Sequence, residues 1–510
     1  MFASRCNCGS IKQSEQGARS SLKAGANSMA SADADIEMYT SGITASAPEN
    51  ACLIVGAGPA GLAPLVAAAK SEKLQALLDE GITIVESGTS AGCGEIGRYA
   101  ISSDSAAEAF LDAITQAKYP ELANLRDHEI VKTIARRIGQ SVPLSTVARF
   151  LELIGDRICE MVRSSRRGEV LMLHRALCTR QTGDDGWVTR VRDERLGTLR
   201  EIRNKSVILA TGANQPVSRL YAEKIADVPL LPAYAGKVIQ SGYVLTASGL
   251  RQVRQQLEQH RDPKVVIVGG STSAGAVARV LLDKRSGIPF VDNGITLMHR
   301  RPLRIFYPSA ADALQDGYTD FGPKDICPVS GRVYRLAGFR LETREIMMRV
   351  LGVGGRDSEP RLRLHQVLSE RQEETSRLLD DAHLIIAAMG YRPRALPVFD
   401  VTGNPIHLQC EKDEMTAMVD RESSVIDDCG RQIPGVYGIG LASGFVPHGR
   451  FGGEPSFRGQ ANSLWLWQHD IGEQIADAVL HRAEAMESSS PDMLCGKLER
   501  NTEEREGVLS

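Results

Sequence analysis

The sequence predicts an α/β protein built from two β-α-β nucleotide units, the second set inside a first domain that it splits. Three observations predict it. Two apolar strands run directly into glycine-rich turns, Gly56-Ala57-Gly58-Pro59-Ala60-Gly61 and Gly269-Gly270-Ser271-Thr272-Ser273-Ala274. The strand after each turn ends in a charged residue, and the two charges are opposite: Glu86 in the first unit, Arg300 followed by Arg301 in the second. Two further apolar runs, one ending in Ala210-Thr211-Gly212 and one in Met389-Gly390, have the pattern of buried strands closed by a glycine turn.

An acid at the end of that strand accepts hydrogen bonds from a free ribose hydroxyl, whereas an arginine suits a 2′-phosphate. The first unit therefore reads as an FAD site and the second as an NADPH site. The expected fold class is α/β with two Rossmann-like dinucleotide-binding domains, the NADPH domain inserted into a split FAD domain.

Residues 1–49 are rich in Ser, Ala and Gly without periodicity and are expected to form a disordered extension. Within 1–28, four basic residues against Glu15 give a weak likeness to a transit peptide, and Met29 is an alternative start. The first part of the FAD domain spans 50–230. It holds a strand at 52–56, a helix over 59–79 ended by Gly81, and a strand at 82–86. A mostly helical stretch follows over 105–165, broken at Pro120 and Pro143, and then strands near 169–173, 187–192 and 206–210. The NADPH domain spans 231–385 and carries an aromatic insertion at 304–345. The second part of the FAD domain spans 386–482. The strand centred on Leu384-Ile385-Ile386 echoes 206–212 and is expected to return the chain to that domain. A last strand at 435–440 and a helix over 462–482 follow, and 483–510 is expected to be a flexible tail.

Bulk properties exclude several classes. At 510 residues the chain exceeds one ordinary core, and its 42% hydrophobic and 24% charged content is that of a globular protein. A net charge of −3 gives no reason to expect nucleic acid or an anionic membrane. No apolar run reaches the ~18 residues needed to span a bilayer. The 10 cysteines are scattered, with no C-x-x-C pair, as in a reduced cytoplasmic protein.

Each fingerprint residue has a physical role. Gly56 permits the tight turn out of the strand, Gly58 lets a pyrophosphate approach the backbone, and Gly61 lets the helix pack closely on the strand. The phosphates then meet the positive end of the helix dipole. In the second turn Ser271 and Ala274 replace the later glycines; both are small, and Ser271 can donate to a phosphate. An ordinary strand–helix turn is the alternative there. Because strand neighbours point to opposite sides, Arg301 is an alternative to Arg300 as the phosphate ligand. Asn462 and Ser463 precede an apolar run and read as a helix N-cap, whose dipole could face a reduced flavin; a plain structural cap is the alternative.

The segment Tyr234-Ala235-Gly236-Lys237-Val238-Ile239-Gln240-Ser241 is similar to the aromatic-x-Gly-x-x-x-His-Ser pattern of the class B flavin monooxygenases, which include the N-hydroxylating enzymes. Tyr234 stands for the usual Phe and Gln240 for the usual His. Ala210-Thr211-Gly212 and Met389-Gly390-Tyr391-Arg392-Pro393 also resemble the group's paired strand-end motifs, with Met389 for the common Thr. The resemblance covers 50–480. It implies that Arg98 and Tyr99 lie beside the isoalloxazine, that Thr211, Gly212, Gly390 and Gly440 border the cofactors, and that the insertion faces substrate. Packing of the two domains is the alternative role for the insertion. Gly440-Leu441 replaces the group's usual Gly-Asp, so the hold on the ribityl chain differs.

The resemblance further implies FAD- and NADPH-dependent oxygenation of a small nucleophilic substrate by dioxygen through a C4a-(hydro)peroxyflavin, N-hydroxylation of an amine or amino acid among the outcomes. The cofactor carries that chemistry, so no catalytic side chain is assigned. Two readings stay open beside it. One is an NAD(P)H-dependent flavin reductase passing electrons to another acceptor; the other is a redox sensor or scaffold that keeps FAD for structure. No dithiol partner for Cys93 lies at the spacing of a disulfide reductase. Substrate identity and oligomeric state are not written in the sequence.

Overall fold

The computed structural model describes residues 50–412 and 416–488; the expected extension at 1–49 and the tail from 489 lie outside the described residues. Two sheets organise the chain. The larger has ten strands, and Asn50–Val55 lies near its centre. That strand pairs in parallel with Ile82–Glu86 on one side and Leu199–Leu209 on the other. Being covered on both faces, it is a continuous apolar run from Ala51 to Val55, each residue at most 6% exposed. Beyond Leu199–Leu209 an antiparallel limb adds Trp187–Asp193 and His174–Gln181. The strand Gln432–Gly438 also pairs in parallel with Leu199–Leu209.

The helix expected over 59–79 is shorter and broken. Residues 59–62 form the turn, Ala63–Lys70 and Leu74–Glu80 are helical, and Glu72 between them is in the left-handed region at φ +63°. Pro64 sits in the first turn, where a missing N–H costs nothing.

The smaller sheet has the order Val238–Gln240, Leu384–Ala387, Val265–Val268, Ile295–His299, Leu362–Gln366, all in parallel. This corrects one expectation. The strand at 384–387 does not rejoin the larger sheet; it sits between Val238–Gln240 and Val265–Val268, and that position explains its uninterrupted apolar run. The chain crosses over only after Gly390 (φ +90°), through Arg392–Pro393, which pairs with Ala213–Asn214. Its likeness to 206–212 is local: both runs end at a glycine of positive φ.

The insertion at 304–345 has a small core of its own, with Ile305, Tyr307, Tyr318, Val333 and Tyr334 buried together. It is also fastened to the 449–456 segment. The Glu454 carboxylate, 3% exposed, accepts from the Leu336 amide at 3.0 Å and the Ala337 amide at 2.8 Å, and Arg335 donates to the Phe451 carbonyl at 2.7 Å.

The last helix, Gly472–Ser488, runs beyond 482 because Ala483 is buried and Glu487 reaches Lys205 at 2.8 Å. A π-helical turn, Trp467–Ile471, precedes it. No helix among the described residues is long and apolar enough to cross a membrane.

Candidate active site

A cavity of about 1580 Å³ opens between the two sheets. It exceeds the roughly 300–1,000 Å³ of an ordinary small-molecule site. Of the residues the sequence points to, Gly56, Gly58, Glu86, Arg98, Thr211, Gly212, Gly440 and Asn462 line it.

The first turn has the shape of a phosphate cradle. Gly56 is at φ +98°, and a Cβ there would stand 2.4 Å from the Ala210 carbonyl oxygen. Gly61 stands behind the wall: a Cβ on it would lie 1.8 Å from the Gly56 oxygen, so its role is close packing. Gly58 differs from both. A Cβ there would touch only the Gly94 Cα, at 3.6 Å, leaving its surface open to the chamber.

At the end of the next strand, Glu86 accepts from the Ala57 amide at 2.7 Å through Oε2 and from the Gly88 amide at 2.6 Å through Oε1. Those bonds fix the carboxylate; Oε1 also accepts from the Ser87 hydroxyl at 3.4 Å, and Oε2 keeps a lone pair for a ribose hydroxyl. The open glycine and the oriented acid together fit an adenine dinucleotide.

The second fingerprint is placed differently. Gly269, Ser271, Ala274, Arg300, Arg301 and Gly390 are not in the cavity wall; from this unit the helix Thr272–Leu282 contributes Thr272, Ala276 and Arg279. Gly269 abuts the Ala388 carbonyl, and Ala274 is fully buried against the sheet. Ser271 is the N-cap of the helix without a side-chain capping bond, so its hydroxyl is not spent there. Arg300 is held by Glu223 at 2.6 Å and by the Lys224 carbonyl at 3.0 Å, whereas the exposed Arg301 makes no ion pair among the described residues. Gly390 borders a separate small recess with Arg219 and Gln240.

Asn462 is not a helix cap. Its Oδ1 accepts from the Ala442 amide at 3.0 Å, and Ser463 is the N-cap, again without a side-chain bond. The amide thereby ties the helix start to the strand end at Gly440-Leu441.

Several wall residues carry no motif. The Tyr99 and Tyr391 hydroxyls are 3.3 Å apart and join the two halves of the chain across the chamber. Burial, then the charge and hydrogen bond of Tyr99, push the Tyr391 phenol well up. Asp104 and Arg340 face the cavity from segments far apart in sequence, and burial pushes the Asp104 carboxyl up to about 6 against the pull of Arg340. Arginines 251, 254, 279 and 285 line another stretch of wall. Arg279 is paired with Asp283 at 2.8 Å and Glu342 at 3.0 Å, Arg254 with Glu258 at 2.6 Å, and Arg285 with Asp283 at 2.8 Å; Arg251 makes no ion pair among the described residues.

No family model matches the chain. Over 454 residues it is 30% identical to the CMP-5′-(3-aminopropyl)phosphonate hydroxylase of Streptomyces rubellomurinus, covering 84% of this chain and 97% of that protein. The chain belongs to the class B flavin monooxygenases. In fold, this family member is similar to the FAD-bound cadaverine monooxygenase of Erwinia amylovora, with a TM-score of 0.50, 15% identity, and coverage of 86% of this chain and 94% of that one. An ornithine N-hydroxylase from Kutzneria sp. 744 matches at a TM-score of 0.44 and 15% identity, over 85% of this chain and 100% of its own.

Proposed function

We propose that this flavin monooxygenase N-hydroxylates a primary amine carried on an anionic, phosphoryl-type scaffold. The protein is a flavin-dependent oxidoreductase that uses FAD, NADPH and dioxygen on a small-molecule substrate. When bound, FAD reduced by NADPH activates dioxygen and delivers one oxygen atom. The residues then have positioning roles. Gly56, Gly58 and Glu86 hold the FAD pyrophosphate and adenosine ribose, Ser271 and Arg301 bind NADPH phosphates, and Tyr99 with Tyr391 spans the two units.

The observation that carries the substrate reading is that one cavity is lined both by Asp104 and by Arg251, neither of which has an ion pair among the described residues. An amine bearing an anionic group matches both. The compound in the name of the Streptomyces relative, an aminopropyl phosphonate ester, carries the same two groups. A cytoplasmic setting agrees with seven free cysteines among the described residues.

The test is turnover of CMP-5′-(3-aminopropyl)phosphonate with NADPH under ¹⁸O₂. The expected product is the hydroxylamine carrying one labelled oxygen, formed in step with NADPH oxidation. Hydroxylation of neither this ester nor other phosphoryl amines, with NADPH oxidised into peroxide alone, would contradict the proposal.

A further inference from the structure

Part of the chamber wall lies outside both glycine turns, although Thr343 packs beside the helix of the second one at Gly275. One side is the strand Ser102–Ala106, carrying Asp104; the other is the start of the helix Leu341–Leu351 in the insertion, carrying Thr343, with Arg340 as its N-cap. The two meet through Thr343, whose Oγ1 lies 3.3 Å from Asp104 Oδ1.

Asp104 is left short of partners. Among the described residues its one hydrogen-bond donor is the Thr343 hydroxyl, which has a single proton and a better acceptor in the Arg340 carbonyl at 2.7 Å. Arg340, whose charge reaches it, and Arg279, which also lines the cavity, make other contacts. Arg340 donates to the Arg335 carbonyl and lies over the Phe306 ring at 4.8 Å, and Arg279 is divided between Asp283 and Glu342. Among the described residues no cation pairs with Asp104. A half-buried carboxylate with no ion pair among the described residues, and only the longer-range pull of Arg340, gains from a ligand that supplies a cation. The carboxyl, raised to about 6, remains mainly ionised at neutral pH and can hold a cation.

We propose that Asp104, steadied by Thr343, binds the ammonium group of the substrate and so selects which nitrogen is held in the chamber; that nitrogen gives up a proton to solvent before its lone pair can react, so Asp104 is a positioning residue. The choice of substrate over cofactor follows from position: the first fingerprint offers its own phosphate cradle and ribose acid, while Asp104 stands on a strand outside both glycine turns. The identity of the occupant as an amine rests on the N-hydroxylation reading above; the existence of a cation subsite does not.

The experiment compares the FAD-loaded full chain with its Asp104→Asn and Asp104→Glu variants. The probes are CMP-5′-(3-aminopropyl)phosphonate and its N-acetyl derivative. Binding is read from flavin absorbance, and KM and kcat from NADPH consumption. Loss of one charged hydrogen bond predicts weakening of the amine probe by roughly 10- to 100-fold in Asp104→Asn, in KM more than in kcat. The N-acetyl probe should bind wild type and Asp104→Asn alike, and Asp104→Glu should recover part of the loss. Equal binding of the amine by wild type and Asp104→Asn, no binding by either, or a raised KM for NADPH with amine binding intact would overturn the assignment. Wild-type binding without hydroxylation would sink the proposed reaction while the comparison still decides the subsite.

Discussion

Substitution of Gly58 by alanine should separate cofactor binding from folding. The backbone at Gly58 is not in the left-handed region, and an added Cβ meets only the Gly94 Cα at an ordinary 3.6 Å. The apo-protein should therefore be unharmed: a compatible glycine-to-alanine change stabilises by about 0.4–1 kcal/mol through the unfolded chain. The methyl group projects instead into the chamber where the pyrophosphate is expected. A phosphate pushed off its amide donors loses charge-assisted bonds of about 1.5–3 kcal/mol each. Two such bonds make roughly 3–6 kcal/mol, or a ~10²–10⁴-fold weaker FAD complex. Gly61→Ala is the contrast, since its Cβ would stand 1.8 Å from the Gly56 oxygen and must deform the turn. The assay is flavin absorbance per protein after desalting, with calorimetric titration of apo-protein by FAD and a melting curve without it. A Gly58→Ala protein that stays yellow with wild-type affinity, or whose apo form melts several degrees lower, would refute the cradle assignment.

Because Arg300 is occupied by Glu223 and Arg301 makes no ion pair among the described residues, Arg301→Ala should raise the KM for NADPH roughly tenfold or more with little change for NADH, an effect of one charged contact. Arg300→Ala should do less, and equal losses for both coenzymes would remove the 2′-phosphate from this strand end. Glu454→Ala leaves the Leu336 and Ala337 amides without their acceptor and should cost about 3 kcal/mol or more in urea unfolding. A change below about 0.5 kcal/mol would mean that the insertion does not depend on this clamp.

The β-α-β units were legible because their signals are local. An apolar run bounded by glycine, and a charge at the end of the next strand, lie within a few tens of residues. The strand His174–Gln181 escaped notice since His174, Arg175, Arg180 and Gln181 interrupt its apolar pattern. The strand Leu384–Ala387 was legible as a strand, but its sheet was not, because the partners that claim it lie at 238–240 and 265–268. The cavity wall shows the same limit. Gly58 and Glu86 carry a motif, whereas Asp104 and Thr343 become neighbours only through tertiary packing. Asn462 had the residue type of a cap, yet its amide was drawn to Ala442. A competing tertiary partner overrode the local preference.

The central claim is tested most directly by mixing the FAD-loaded, NADPH-reduced protein with oxygenated buffer and following flavin absorbance by stopped flow. A transient spectrum, distinct from both reduced and oxidised flavin, is expected to persist while NADP⁺ is present and to decay faster when an accepted amine is added. Direct single-step return to oxidised flavin, with NADP⁺ present, would contradict it.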